Sequence, residues 1–368
     1  MEINSRIKYS RLFVFAVIIL SFVGIAAVTS AGFPVGARIS GNGNYFFYRE
    51  IMWYFVGAAV FIIFSKINYR KYLEWQSGIY ILGCVMFLAV AVFGAERNGA
   101  KRWLSIAGMS FQPSEVAKVF LIITIAVLIY KYKDHELREL NTILTTLVST
   151  GVYIGFLLYS QKDFGTTVLV SAVLMTMLFA AGIKKIKLFL VGVMAAAVGA
   201  VAIVTSENRM KRIMAFFSSG NDEASSAIYQ LQQSIIALGS GGVFGSGYGN
   251  GKQKYYYLPE PHTDFIFASL GEEVGFIGLF LVSAAFITIF SIGMSVAMKK
   301  RDNFAKILVY GLTMLITTQA LINMCVAIGL FPTKGMALPF LSFGGSAIIG
   351  TMMSCGIILN IIKEVEEE

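Results

Sequence analysis

Residues 259–292 read PEPHTDFIFASLGEEVGFIGLFLVSAAFITIFSI. Three ionisable side chains, Glu260, His262 and Asp264, stand immediately before a mostly apolar run, 265–292, that is long enough to cross a bilayer. A hydrocarbon core of about 30 Å needs about 20 apolar residues in helical form. Ionisable groups at the mouth of such a segment cost desolvation energy and require a reason. Acids at a helix start cap free backbone N–H groups and meet the positive end of the helix dipole. The alternative is that they carry out chemistry.

Working outward, the whole chain resembles this run. Its 368 residues are 57% hydrophobic and 14% charged, with a mean hydropathy of +0.72, whereas a soluble domain carries about 25% charged residues. Ten apolar runs can be counted, at about 12–31, 51–65, 77–94, 113–131, 141–159, 165–182, 186–204, 264–292, 304–328 and 345–362. They are continuous rather than alternating, which argues against a β-barrel. The expected fold is an all-α integral membrane protein with ten transmembrane helices, one polytopic domain over 1–368. The first run is too long for the apolar part of a signal peptide and reads as an uncleaved helix.

Basic residues set the orientation. With the N-terminus in the cytoplasm, each inner loop holds at least three of them, such as Lys66, Arg70 and Lys71, or Lys184, Lys185 and Lys187. This satisfies the positive-inside rule, and both termini are then cytoplasmic. Trp53, Trp75 and Trp103 fall near predicted span ends, as interfacial tryptophans do. The net charge of +9 suits an anionic inner leaflet. It is scattered through short loops, so it does not point to nucleic acid. Cys84, Cys325 and Cys355 lie in apolar runs without a C-x-x-C and read as small buried hydrophobes.

The one long hydrophilic stretch is the fourth outer loop, 205–263. Within it, 208–217 and 227–239 read as interfacial amphipathic helices, separated by a short acidic linker, 220–223. A glycine-rich segment, GSGGVFGSGYGNGK (239–252), follows. It fits neither G-x-x-x-x-G-K-[ST] nor G-x-G-x-x-G and has no βαβ unit around it, so a nucleotide site is rejected. Its glycines allow tight turns or close backbone approach.

With this topology, the unusual polar residues gather at the outer side. Arg102, Glu115 and Lys118 lie in or just after the second outer loop, Asp163 in the third, Arg209, Lys211, Arg212, Glu260, His262 and Asp264 in the fourth, and Lys334 in the fifth (331–346). Glu115 and Lys118 share a helix face. They form either an internal ion pair or a cavity wall. Asp163 and Asp264 both have the helix-start explanation, and a lone His262 is more often structural. No spacing is diagnostic of a metal site, although outer acids could help hold a divalent cation on a phosphate substrate. Such a face suits a lipid-linked anion: Arg and Lys for phosphate, helix grooves for lipid, and a desolvated carboxylate as base.

Several motifs, in this order, resemble the SEDS family (shape, elongation, division and sporulation), which includes FtsW, RodA and SpoVE. They are G-A-K-R-W (99–103), Q-P-S-E-x-x-K (112–118), D-F-G-T (163–166), Y-Q-x-x-Q-S (229–234), the G-S-G-G-x-F-G-x-G run, L-P-E-x-H-T-D-F-I-F-A (258–268), G-E-E-x-G (271–275) and P-T-x-G-x-x-L-P-F-x-S-x-G-G-S (332–346). The resemblance spans about 12–362 and is closer to FtsW and SpoVE than to RodA. Lys162, Lys334 and Phe343 depart from the usual residues.

The resemblance implies a peptidoglycan glycosyltransferase that polymerises lipid II at the outer face of the cytoplasmic membrane. Asp264 would be the catalytic base of an inverting transfer that builds a β-1,4 glycan. Arg102, Glu115, Lys118, Asp163, Arg212, Gln233, His262, Lys334 and Ser342 would contact the substrate's sugars or pyrophosphate. A divalent cation, Mg or Mn, would be compatible. Implied partners are a class B penicillin-binding protein transpeptidase and divisome or elongasome proteins. The alternatives are a lipid II flippase and a non-catalytic scaffold for the transpeptidase.

Overall fold

The computed structural model describes residues 3–97, 100–106, 109–133, 139–217, 226–255, 257–333 and 335–367. Lys334, Gly99 and the acidic linker lie outside them. Four helices come first: α1 (Ile3–Ser40), α2 (Tyr45–Lys66), α3 (Lys71–Phe93) and, after a small sheet, α4 (Pro113–Lys133). α5 (Glu139–Gly155) continues into a π-helical turn, Phe156–Ser160. α6 (Phe164–Ala180) and α7 (Lys185–Val204) precede two helices of the fourth loop, α8 (Glu207–Phe217) and α9 (Ser226–Gly241). α10 (Ile266–Lys299), α11 (Asn303–Ala327) and α12 (Gly345–Glu367) complete the chain.

Nine helices among the described residues are long and apolar enough to span a membrane. The sixth apolar run forms a shorter helix of 17 residues, about 26 Å long at 1.5 Å per residue. Asp163 fixes its start: the carboxylate accepts from Thr166 N (3.0 Å) and Thr166 Oγ1 (2.9 Å). α1 belongs to the bundle, with Phe13 and Leu20 fully buried. α2 begins at Tyr45, ahead of the predicted 51, and brings a buried Glu50 into the bundle. No described donor reaches the Glu50 carboxylate, and nothing in the structure explains it. Because α2 starts early, Trp53 lies two turns in. It packs on α12, where a Cβ at Gly345 would meet its ring at 2.0 Å.

Successive helices run antiparallel, so the bundle has two ends. One carries both termini: Ser10 N donates to Glu366 Oε1 (3.1 Å), and Arg70 pairs with Asp302 (3.9 Å) and Glu364 (3.8 Å). The opposite end carries the structured loops. Here β1 (Ala95–Arg97), β2 (Ala100–Ile106) and β3 (Met109–Phe111) form an antiparallel sheet in the order β1-β2-β3, where the sequence suggested only a loop. α4, α11 and α12 are enclosed, with Ile122, Leu312 and Ile358 at zero exposure. α7 packs mainly on α6 and α8 and exposes Phe189, Leu190 and Val198.

α10 is not one straight rod. Gly275 has φ 67° and ψ −170°, which breaks the helix, and only glycine adopts that region at little cost. The break frees backbone groups, and the glycine-rich segment fills them. Ser246 N and Gly247 N donate to the carbonyls of Glu272 (2.9 Å) and Glu273 (3.0 Å). Phe276 N and Ile277 N donate to those of Gly242 (2.9 Å) and Val243 (3.2 Å). A Cβ at Gly245 would lie 2.1 Å from Glu273 O. The close approach anticipated for these glycines is therefore to the protein's own helix.

Candidate functional site

A cavity of about 610 Å³ opens at the loop end of the bundle. β2 contributes Arg102, the turn before α6 contributes Lys162 and Asp163, and α8 contributes Arg209 and Arg212. The fifth loop contributes Pro332, Thr333 and Gly335. Local bonding explains how each cation is held. Arg102 donates from Nε to Gln161 O (2.7 Å) and from a terminal nitrogen to Lys162 O (2.8 Å), carbonyls presented where the π-helical turn ends. Arg209 donates to Ala202 O (2.7 Å) and lies 5.5 Å over the Phe164 ring. Arg212 reaches Thr333 O at 3.4 Å. Burial and the neighbouring Arg102 pull the Arg209 guanidinium below its ordinary pKa, as expected where cations crowd together.

Asp264 lies at the edge of this cavity, two residues before α10 and behind Gly335. A Cβ on Gly335 would come within 2.8 Å of Asp264 Oδ2. Among the described residues none hydrogen-bonds to its carboxylate. Burial, then the charge of Glu260, push its pKa up to about 7, against the pull of Arg212 and Arg102. Asp163 adds a smaller upward push. A carboxylate with a pKa of about 7, given no donor by the described residues and beside a cationic cavity, is equipped to accept a proton.

The other sequence candidates divide. Arg102, Asp163 and Arg212 do line the cavity, although Asp163 is also a helix cap. Glu115 and Lys118 do not line it. They form the buried internal pair, 2.5 Å apart, and Lys118 Nζ also donates to Gln319 Oε1 (2.6 Å). His262 is buried against Phe46, ring centroids 4.3 Å apart, and burial lowers its pKa. Its carbonyl accepts from Phe343 N (2.9 Å). Ser342 Oγ ties loop to turn, accepting from Leu338 N (2.8 Å) and donating to Thr263 O (2.6 Å). Gln233 is half-buried on α9 and does not line the cavity.

Sequence reasoning passed over Lys162, Arg209 and Gly335 as site residues, and Gln319 and Asn323 altogether. The last two had a signal: a polar pair four residues apart inside an apolar run. Asn323 Nδ2 donates to Asp264 O (3.0 Å) and Met336 O (2.6 Å).

A second, apolar groove of about 710 Å³ runs between α5, α6 and α7. It shares Phe164, Val168 and Ala172 with the cationic cavity, so a charged chamber and a greasy channel meet along one face of α6.

Fold and site together define a polytopic membrane protein with a cation-lined chamber beside the Asp264 carboxylate. The profile of the FtsW/RodA/SpoVE family of cell cycle proteins matches residues 10–367, and the chain belongs to that family. Two similar proteins, from Geobacter sp. (strain M18) and Trichlorobacter lovleyi, are each named probable peptidoglycan glycosyltransferase FtsW. They are 36% and 37% identical to this chain, over 96% of it and 96% and 93% of their own lengths. The fold also matches the crystal structure of Thermus thermophilus RodA, with TM-score 0.70, 22% identity and 96% of each chain covered. A peptidoglycan synthase complex, described as coordinating polymerization and crosslinking, contains a chain that matches with TM-score 0.73 and 23% identity, over 95% of this chain and 98% of that one.

Proposed function

We propose that this protein is a peptidoglycan glycosyltransferase that polymerises lipid II, with Asp264 as general base. The observation that carries the reading is the Asp264 carboxylate, given no hydrogen bond by the described residues and with its pKa near 7, beside a chamber lined by Arg102, Lys162, Arg209 and Arg212. Asp264 takes the proton from the 4-hydroxyl of the acceptor sugar. The oxygen attacks the anomeric carbon of the donor as the bond from that carbon to undecaprenyl pyrophosphate breaks. A single displacement inverts the configuration and gives a β-1,4 link. The cations stabilise the charge that builds on the leaving pyrophosphate. The groove along α5–α7 suits the polyprenyl chain, because it adjoins the chamber at Phe164, Val168 and Ala172.

Among the described residues no group of three or more His, Cys, Asp or Glu is placed to hold a metal ion. Any Mg or Mn would have to be held mainly by the substrate's own phosphate oxygens, and no step here depends on one. By the positive-inside rule the chamber faces outward across the cytoplasmic membrane. The likeness to a peptidoglycan synthase complex supports a class B penicillin-binding protein as partner.

The test is reconstitution of the full-length protein with its transpeptidase partner and labelled lipid II, comparing wild type with Asp264→Ala. Loss of polymer with retained folding is expected. Normal polymer from the variant would overturn the assignment of Asp264. Lipid scrambling without polymer in the wild type would make the protein a flippase, and neither activity would leave it a scaffold.

A further inference from the structure

The fifth loop crosses over the Asp264 carboxylate, and two amide side chains one turn apart on α11 grip it. Asn323 Nδ2 holds Met336 O (2.6 Å) and Asp264 O (3.0 Å), so a single amide spans loop and base. Gln319 Nε2 holds Ala337 O (2.8 Å), the next carbonyl along the loop. Behind it, Gln319 Oε1 accepts from Lys118 Nζ (2.6 Å), which is paired with Glu115. Gln319, Asn323, Lys118 and Glu115 are all buried.

The partners leave these amides no choice of orientation. An ammonium only donates and a carbonyl only accepts. Lys118 must therefore face the oxygen of Gln319, and Ala337 must face its nitrogen. Asn323 faces two carbonyls with its nitrogen, and none of the described residues donates to its buried Oδ1. What the arrangement achieves is spacing: Gly335, one residue before the gripped carbonyls, is held against the Asp264 carboxylate.

We propose that Gln319 and Asn323 are positioning residues that set the distance between the fifth loop and Asp264 for glycosyl transfer, with the Lys118–Glu115 pair fixing the Gln319 amide. This rests on the reading of Asp264 as base. With the grip intact, loop backbone covers the carboxylate. With it released, the loop lifts and water reaches Asp264, whose charged surroundings (Glu260, Asp163, Arg102 and Arg212) are otherwise unchanged. A better-solvated carboxylate ionises at lower pH.

The experiment uses full-length protein with its transpeptidase partner and labelled lipid II, in Asn323→Leu and Gln319→Glu. The first is close in shape and lacks the donor. The second keeps the Lys118 contact, and so is expected to fold, but turns an oxygen toward Ala337 O. Expected results are a fall in kcat of about 10–100-fold, the size of loss that a misplaced group produces, with KM nearly unchanged. The acid limb of kcat/KM should move to lower pH. Folded variants with unaltered kcat would overturn the proposal. So would a fall in kcat with an unmoved acid limb, which is what a merely structural role gives. If Asn323→Leu does not fold, Gln319→Glu decides. Asp264→Ala, run alongside, separates the two claims. Active Asp264→Ala removes the base assignment, whereas inert Asp264→Ala with normal Asn323→Leu and Gln319→Glu removes only the positioning role.

Discussion

Two sets of carboxylates stand eight and nine residues apart at the start of α10, and they are treated in opposite ways. Glu272 accepts from Lys252 N (2.7 Å) and Gln253 N (3.0 Å). Glu273 accepts from Ser30 Oγ (2.5 Å), Lys254 Nζ (2.6 Å) and Gly249 N (3.1 Å). Asp264 has donors to its carboxylate from none of the described residues, and only its backbone oxygen is held. A carboxylate whose oxygens are taken up by donors is a structural fastener, whereas one with open oxygens has them available for chemistry. Both belong to one continuous motif, and only their surroundings separate them.

The largest break in this comparison should come from Asp264→Asn. Glycan synthesis should fall by about 10²–10⁴-fold, the typical contribution of a general base, with polymer on gels as the readout. Thermal stability should hold or rise. The sign follows from the raised pKa: the folded state favours the neutral acid, so this group's contribution to stability is full below the ordinary carboxylate pKa of 3.8, falls as pH rises from there, and is gone once pH has passed through about 7. Unfolding temperatures at pH 6 and pH 8 should therefore differ less in Asp264→Asn than in wild type.

Glu273→Gln should do the reverse. It strands Lys254, which is 3% exposed, and breaking such a buried pair costs about 3–5 kcal/mol. The expected outcome is a lower melting temperature, with specific activity of the surviving folded fraction close to normal. Gly335→Ala is next. Its methyl would press on Asp264 Oδ2, and a loss in kcat of about 10–100-fold is expected by steady-state assay. A smaller effect is expected from Arg212→Ala, which removes an exposed cation from the chamber. Weaker use of lipid II, about 10-fold in kcat/KM, would fit the loss of one charge-assisted contact. An unchanged value would exclude Arg212 from substrate binding.

Much of the fold was legible because apolar length is a direct record of membrane crossing. The amphipathic helices at 208–217 and 227–239 were legible for a related reason, since their polar and apolar faces alternate at helical spacing. Asp264 could be singled out by its place at the mouth of a span. What could not be read was which polar groups meet. Glu115 and Lys118 satisfy each other within one helix, while Gln319 and Asn323 act across three elements, and spacing along the chain does not carry that information. The sheet at 95–111 was missed because its strands are three to seven residues long. The break at Gly275 was hidden because glycine within an apolar run has no distinguishing local context.

That break has a mechanical consequence. An unbroken helix of 34 residues would be a rod of about 51 Å, and a push or twist at its far end would reach the residues beside Asp264 undiminished. With the joint at Gly275 clasped by loop backbone, α10 becomes two segments of unequal length, 266–274 and 276–299. The segment that follows Asp264 is the short one, about 14 Å at 1.5 Å per residue, and its last carbonyls, those of Glu272 and Glu273, are held by Ser246 N and Gly247 N as well as by the helix.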